Sequence, residues 1–186
     1  KIFYALDKHC MGEDIKESTT DCYYEPTSPQ SFVRSFLSAK EKIEENRNPV
    51  RFLELGAGVG NNLFLAAAIL EKNYRSIAGS IIAGVELELR YVRGMQGICN
   101  MTYGDMVEAP LRRYNVIHFY NSLGKDENKH LKLYKRFNAE LSQGTILLLT
   151  ESRSPDTKYF TLIDDCRTAI WQRNTVAYNN QEIKHK

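Results

Sequence analysis

Residues 51–62 read RFLELGAGVGNN. An apolar run carries an acid at Glu54, and glycines then stand at every second position, Gly56, Gly58 and Gly60. NNLFLAAAILEKN follows at once, an Ala- and Leu-rich helix signal, so the glycines form a strand-to-helix turn. Glycine lacks a Cβ, adopts left-handed backbone freely and lets a ligand touch the main chain. The helix start beside it adds unpaired N–H groups and a positive dipole end. In a dinucleotide site the third small residue would fall at position 61, which is Asn61. Glu54, two residues before the turn, would repel a pyrophosphate and attract a cationic amine. The ligand implied is small, with an ammonium group and a ribose.

Working outward, short apolar strands alternate with helices. Upstream, YYEPTSPQ (23–30) is an extended lead-in to a helix, with Ser28 as cap and Pro29 in the first turn. SFVRSFLSAKEKIEEN then sets Phe32, Val33, Phe36, Leu37 and Ile43 at helical spacing. Downstream, SIIAGVE, NMTYGDM, YNVIHFYN and TILLLT read as strands. LELRYVRGMQGI reads as a helix, as does KDENKHLKLYKRFNAEL, with Leu131, Leu133, Tyr134, Phe137 and Leu141 inward and Gly144 at its stop. Such alternation predicts parallel pairing through right-handed crossovers. KYFTLIDDC and AIWQRNTVAYNN have no helix between them and predict an antiparallel hairpin at the sheet edge.

The 186 residues suit one domain over 23–186, preceded by an N-terminal arm or short helix over 1–22. Hydrophobic residues at 42% and charged residues at 26% are ordinary for a soluble globular chain, and a net charge of +2 points to no nucleic-acid partner. No apolar stretch reaches the about 18–20 residues of a membrane span, and no secretory signal is visible, so an intracellular, cytoplasmic protein is expected. The chain starts at Lys1, not Met, as a processed or trimmed product would. Cys10, Cys22, Cys99 and Cys166 form no CxxC pair and the four histidines complete no zinc spacing, so free thiols and no metal are expected.

The E-x-G-x-G-x-G pattern resembles motif I of the class I, Rossmann-like S-adenosylmethionine-dependent methyltransferases. The resemblance implies an α/β fold: a seven-stranded sheet, parallel with an antiparallel C-terminal edge hairpin, and helices on both faces. It implies S-adenosylmethionine as cofactor, with Glu54, Gly56, Gly58 and Gly60 cradling the methionine part. Glu86, at the end of GVE, would hold the ribose, and Asp105 with Met106 the adenine. Each acid has a plainer reading: Glu88 competes with Glu86, and Asp105 follows Gly104 as a turn residue.

The acceptor is less sharply marked. After the fourth strand stands FYNSLG, without the prolines that adenine or cytosine N-methyltransferases carry there, which disfavours nucleic acid. YYEPTSP and VIHFYNSLG are similar to segments of the non-SET lysine methyltransferases. That similarity implies a protein lysine as methyl acceptor, preferred narrowly over a small molecule, with Tyr24, Tyr120 and Asn121 as catalytic-pocket residues beside Glu25. Tyr23, Phe119 and Tyr159 are further aromatic candidates. A non-catalytic cofactor-binding module and a nucleotide-dependent oxidoreductase are the rival readings.

Overall fold

The computed structural model describes residues 27–72, 79–121, 123, 126–165 and 167–174. The expected arm, Tyr23, Tyr24, Glu25, Ser122 and the far end of the hairpin lie outside them. Seven strands form one sheet: β1 (Arg51–Leu55), β2 (Ile81–Glu86), β3 (Met101–Tyr103), β4 (Val116–Tyr120), β5 (Ile146–Thr150), β6 (Phe160–Asp164) and β7 (Thr168–Arg173). Among the described residues, four α-helices accompany them: α1 (Pro29–Glu45), α2 (Asn61–Lys72), α3 (Leu89–Gly94) and α4 (Glu127–Glu140).

The strand order is β3-β2-β1-β4-β5-β7-β6. β3, β2, β1, β4 and β5 are paired parallel, while β7 runs antiparallel between β5 and β6. The expected edge hairpin is present, with its second strand inserted next to β5. The order reverses between β1 and β4, a switch point at which loops leave to opposite sides and open a crevice at the carboxyl ends of the strands.

Strand alternation divides the core. Leu53, Leu55, Val85, Ile117, Phe119, Leu147 and Leu149 point to one face and meet Leu133 and Phe137 of α4. Phe52, Val116, Ile146, Leu148 and Ile170 point to the other and meet Phe32, Phe36, Ala39 and Ile43 of α1 and Leu63, Ala66 and Leu70 of α2. Gly84 is what lets α2 settle there. A Cβ on it would stand 2.7 Å from the Ala57 Cβ and 2.9 Å from a Leu63 methyl.

Four details differ from the sequence expectation. Ser28 is the N-cap residue of α1, but its hydroxyl bonds Gln30 instead of a backbone N–H. On α1 the stripe is Phe32, Phe36, Ala39 and Ile43, and Leu37 is exposed, because 100° per residue carries positions 33 and 37 to its margin. On α4, Leu131 is 56% exposed and His130 is buried in its stead. The helix ends at Glu140 with Leu141 as its C-cap, and Gly144 serves the following turn at φ 78°.

Candidate functional site

The bend between β1 and α2 has Gly56, Gly58 and Gly60 at φ 75°, 53° and 77°. All three lie in the left-handed region, where a side chain would be strained, which accounts for the alternate spacing. Main-chain bonds staple the bend to β2: the N–H groups of Gly56 and Ala57 both donate to the Val85 carbonyl, at 2.9 and 3.1 Å.

Glu86, the last residue of β2, joins the same structure. Its Oε2 accepts from the Gly58 N–H at 2.7 Å and its Oε1 from the Glu88 N–H at 2.8 Å. Burial pushes its carboxyl above the usual range, and the backbone donors only partly oppose this. A carboxylate has about four lone-pair positions, so two backbone bonds leave room for hydroxyl donors.

Glu54 is 3% exposed beneath the bend. Its Oε1 accepts from Asn62 Nδ2 at 3.0 Å and from His118 Nδ1 at 2.8 Å. Its Oε2 is buried and meets no donor among the described residues. Since buried carboxylate oxygens ordinarily have partners, this unpartnered acceptor fits a cationic ligand group. The chain therefore offers what the implied cofactor needs: a side-chain-free cradle, an anionic group for its ammonium and a second acid for its ribose.

Asp105 and Met106 are committed locally. Asp105 Oδ1 accepts from the Val107 N–H at 2.9 Å, capping a short 3-10 turn, and Oδ2 lies 3.4 Å from Lys129 Nζ. Met106 is buried in the apolar cluster beneath β2 and β4. Across the crevice, the Tyr120 hydroxyl donates to Glu151 Oε2 at 3.0 Å, and Glu151 Oε1 pairs with Arg167 at 3.3 Å. Asn121 is exposed, and its N–H donates to the Thr150 carbonyl at 3.4 Å. Glu151 sits at φ 50°, an uncommon conformation for a residue with a side chain.

No family model and no curated protein matches the chain. Solved structures do. An RNA methyltransferase from Salinibacter ruber in complex with S-adenosyl-L-homocysteine is 18% identical, with a TM-score of 0.54 over 87% of this chain and 100% of its own. The plantazolicin methyltransferase BpumL, in complex with SAH, is 16% identical, with a TM-score of 0.50 over 80% of this chain and 51% of its own. WbdD is 10% identical, with a TM-score of 0.59 over 91% and 46%. The fold is that of the class I methyltransferases. At these identities the likeness is one of backbone architecture, and the chain spans about half the length of BpumL and of WbdD.

Within this methyltransferase fold, Glu54, the three glycines and Glu86 converge on one bend, with Tyr120 and Asn121 on the β4 side of the switch point. Phe119 is fully buried in the core. Tyr159 precedes β6 and stacks under the Arg173 guanidinium, 4.6 Å from its ring centre. Arg173 bonds Thr145, before β5, so Tyr159 lies at the end of the sheet opposite the bend and lines no acceptor pocket there. Sequence reasoning missed His118 and Asn62 as partners of Glu54, and Glu151 as partner of Tyr120. The available signal was a histidine inside the otherwise apolar VIHFY, since a buried polar side chain needs a partner.

Proposed function

We propose that the protein is an S-adenosylmethionine-dependent N-methyltransferase whose acceptor is a lysine side chain of another protein. The observation that carries the cofactor reading is the buried, unpartnered oxygen of Glu54 under a bend of three left-handed glycines, with Glu86 bonded to the same bend. Glu54 would bind the cofactor's α-ammonium, Gly56, Gly58 and Gly60 would admit its methionine part to the backbone, and Glu86 would accept from the ribose hydroxyls. Asp105 would act from the β3 side and Met106 from beneath, near the adenine.

When bound, S-adenosylmethionine supplies a sulfonium methyl that moves to a nucleophile by in-line displacement. The protein's part is positioning and charge. A lysine amine, with an ordinary pKa of about 10.4, must shed its proton to attack. Tyr120, Asn121 and the Glu151 carboxylate, at the carboxyl ends of β4 and β5, would form the acceptor side and orient an approaching ammonium. The lead-in YYEPTSP, with Tyr24, and the absence of prolines after β4 favour lysine over a nucleic-acid base.

Calorimetric titration with S-adenosylmethionine tests the cofactor, and absence of binding would remove this function. Incubation with cell extract and methyl-labelled cofactor tests the acceptor. The expected product is label in protease-sensitive material that yields methyl-lysine on hydrolysis. Label lost to nuclease, or confined to small molecules, would replace the lysine assignment.

A further inference from the structure

The hydrogen bonds of Glu54 continue beyond the bend. His118 on β4 donates to Glu54 through Nδ1, and its Nε2 lies 2.9 Å from the Thr150 hydroxyl on β5. That hydroxyl is 2.8 Å from Thr168 Oγ1 on β7, which is 3.0 Å from Ser31 Oγ on α1. The row crosses from the middle of the sheet to the first helix. Glu54, His118, Thr150 and Thr168 are all essentially shut off from solvent.

A carboxylate only accepts, so the proton of the first bond belongs to His118 Nδ1. Thr150, Thr168 and Ser31 each offer one donor and two acceptor positions, so the row is satisfied from end to end, and such bonds strengthen one another in a low-dielectric interior. A second geometric fact sets the purpose of the row. Glu54 precedes the glycine bend and its partner Asn62 follows it, so the bend arches over the carboxylate that these bonds hold.

We propose that His118 is a positioning residue of the cofactor site: backed by Thr150, Thr168 and Ser31, it clamps one oxygen of Glu54 so that the other is presented to the cofactor's α-ammonium. This inference rests on the cofactor reading above. His118 need not touch the cofactor, and its influence is confined to the amino-acid end.

That confinement is what an experiment can read. S-adenosylhomocysteine carries the ammonium, whereas 5′-methylthioadenosine has the same adenosine without the amino-acid part. Affinities of the full chain for both are measured by calorimetry. Wild type is expected to prefer S-adenosylhomocysteine, and Glu54→Gln to lose most of that preference. His118→Phe should weaken S-adenosylhomocysteine by about tenfold while 5′-methylthioadenosine changes by less than about twofold. His118→Asn, which keeps an N–H near the Nδ1 position, should recover most of the loss. If His118→Phe weakens both ligands equally, or neither, the positioning role is overturned. If Glu54→Gln leaves the preference intact, the cofactor reading itself fails, whatever His118 does. Should His118→Phe not fold, Thr150→Val removes only the backing hydroxyl and should give a selective loss of about threefold. An unselective loss, or none, overturns the proposal equally.

Discussion

Consecutive residues on the same strands tell two different stories. On the α4 face, Leu55, Phe119 and Leu149 carry apolar packing to the carboxyl ends of their strands. On the α1 and α2 face, the neighbouring Glu54, His118 and Thr150 are buried yet polar and bonded in a row. Glu86, at the end of β2, lies on this polar side with the bend. One face is thus wholly apolar there and the other holds a buried polar row, though the backbone, the depth of burial and the parallel pairing are shared. A polar row is tolerated in the interior because its members satisfy one another, except at Glu54 Oε2, which meets no donor among the described residues.

Three substitutions and a pH series would break or sharpen this contrast. The largest effect is expected on the apolar face: Phe119→Ala should cost about 3–5 kcal/mol in urea denaturation, since a buried ring is lost and a cavity remains. Cofactor affinity of the fraction that stays folded should be unaffected. A similar loss of affinity there would mean that the faces are not independent.

Next comes Gly84→Ala. Its Cβ would collide with Ala57 in the bend, so an overpacking cost of about 1–3 kcal/mol is expected, accompanied by weaker cofactor binding. Lost stability with unchanged binding would show that the bend adapts.

The pH series concerns Glu86, whose carboxyl is held above its usual range by burial. The native state then takes up this proton before the unfolded chain does. Its contribution to stability is full below the ordinary carboxylate range and is lost as pH rises through the raised value. Ribose hydroxyls need the ionised form, so cofactor affinity should run the other way and fall as pH drops through the same window. The difference between wild type and Glu86→Gln in denaturation midpoints, followed against pH, isolates the first effect, and calorimetry across the series reads the second. Slopes of equal sign would contradict the assignment.

The smallest effect is expected for Tyr120→Phe. Its hydroxyl bonds an exposed Glu151, so stability should change by less than about 1 kcal/mol. Methyl transfer to the acceptor should slow while cofactor affinity holds. Lowered cofactor affinity would move Tyr120 from the acceptor side to the cofactor side.

Much of this was legible along the chain because it depends on short-range rules. The seven strands, the edge hairpin and the cradle follow from short apolar runs, glycine spacing and β-rich segments without a helix between them. Positions at the margins of helical stripes were harder to read. Leu131 and His130 exchange places because the stripe is set by how α4 lies on the sheet, not by which residue is more apolar. Asp105 stands where the fold resemblance places an adenine contact, yet its carboxylate caps its own turn and pairs with Lys129, a choice that only the approach of α4 makes visible.

What the sequence determined by itself was local: where glycine must permit left-handed backbone, which runs can bury both faces, and that an acid stands before the bend. Pairing β1 with β4, β5 with β7 and α1 with the sheet was decided in three dimensions. Only that pairing brings His118, Thr150, Thr168 and Ser31 into line behind Glu54. Hydrogen bonds act over about 3 Å, whereas these residues are separated by up to 137 positions along the chain, so the row belongs to the tertiary fold alone.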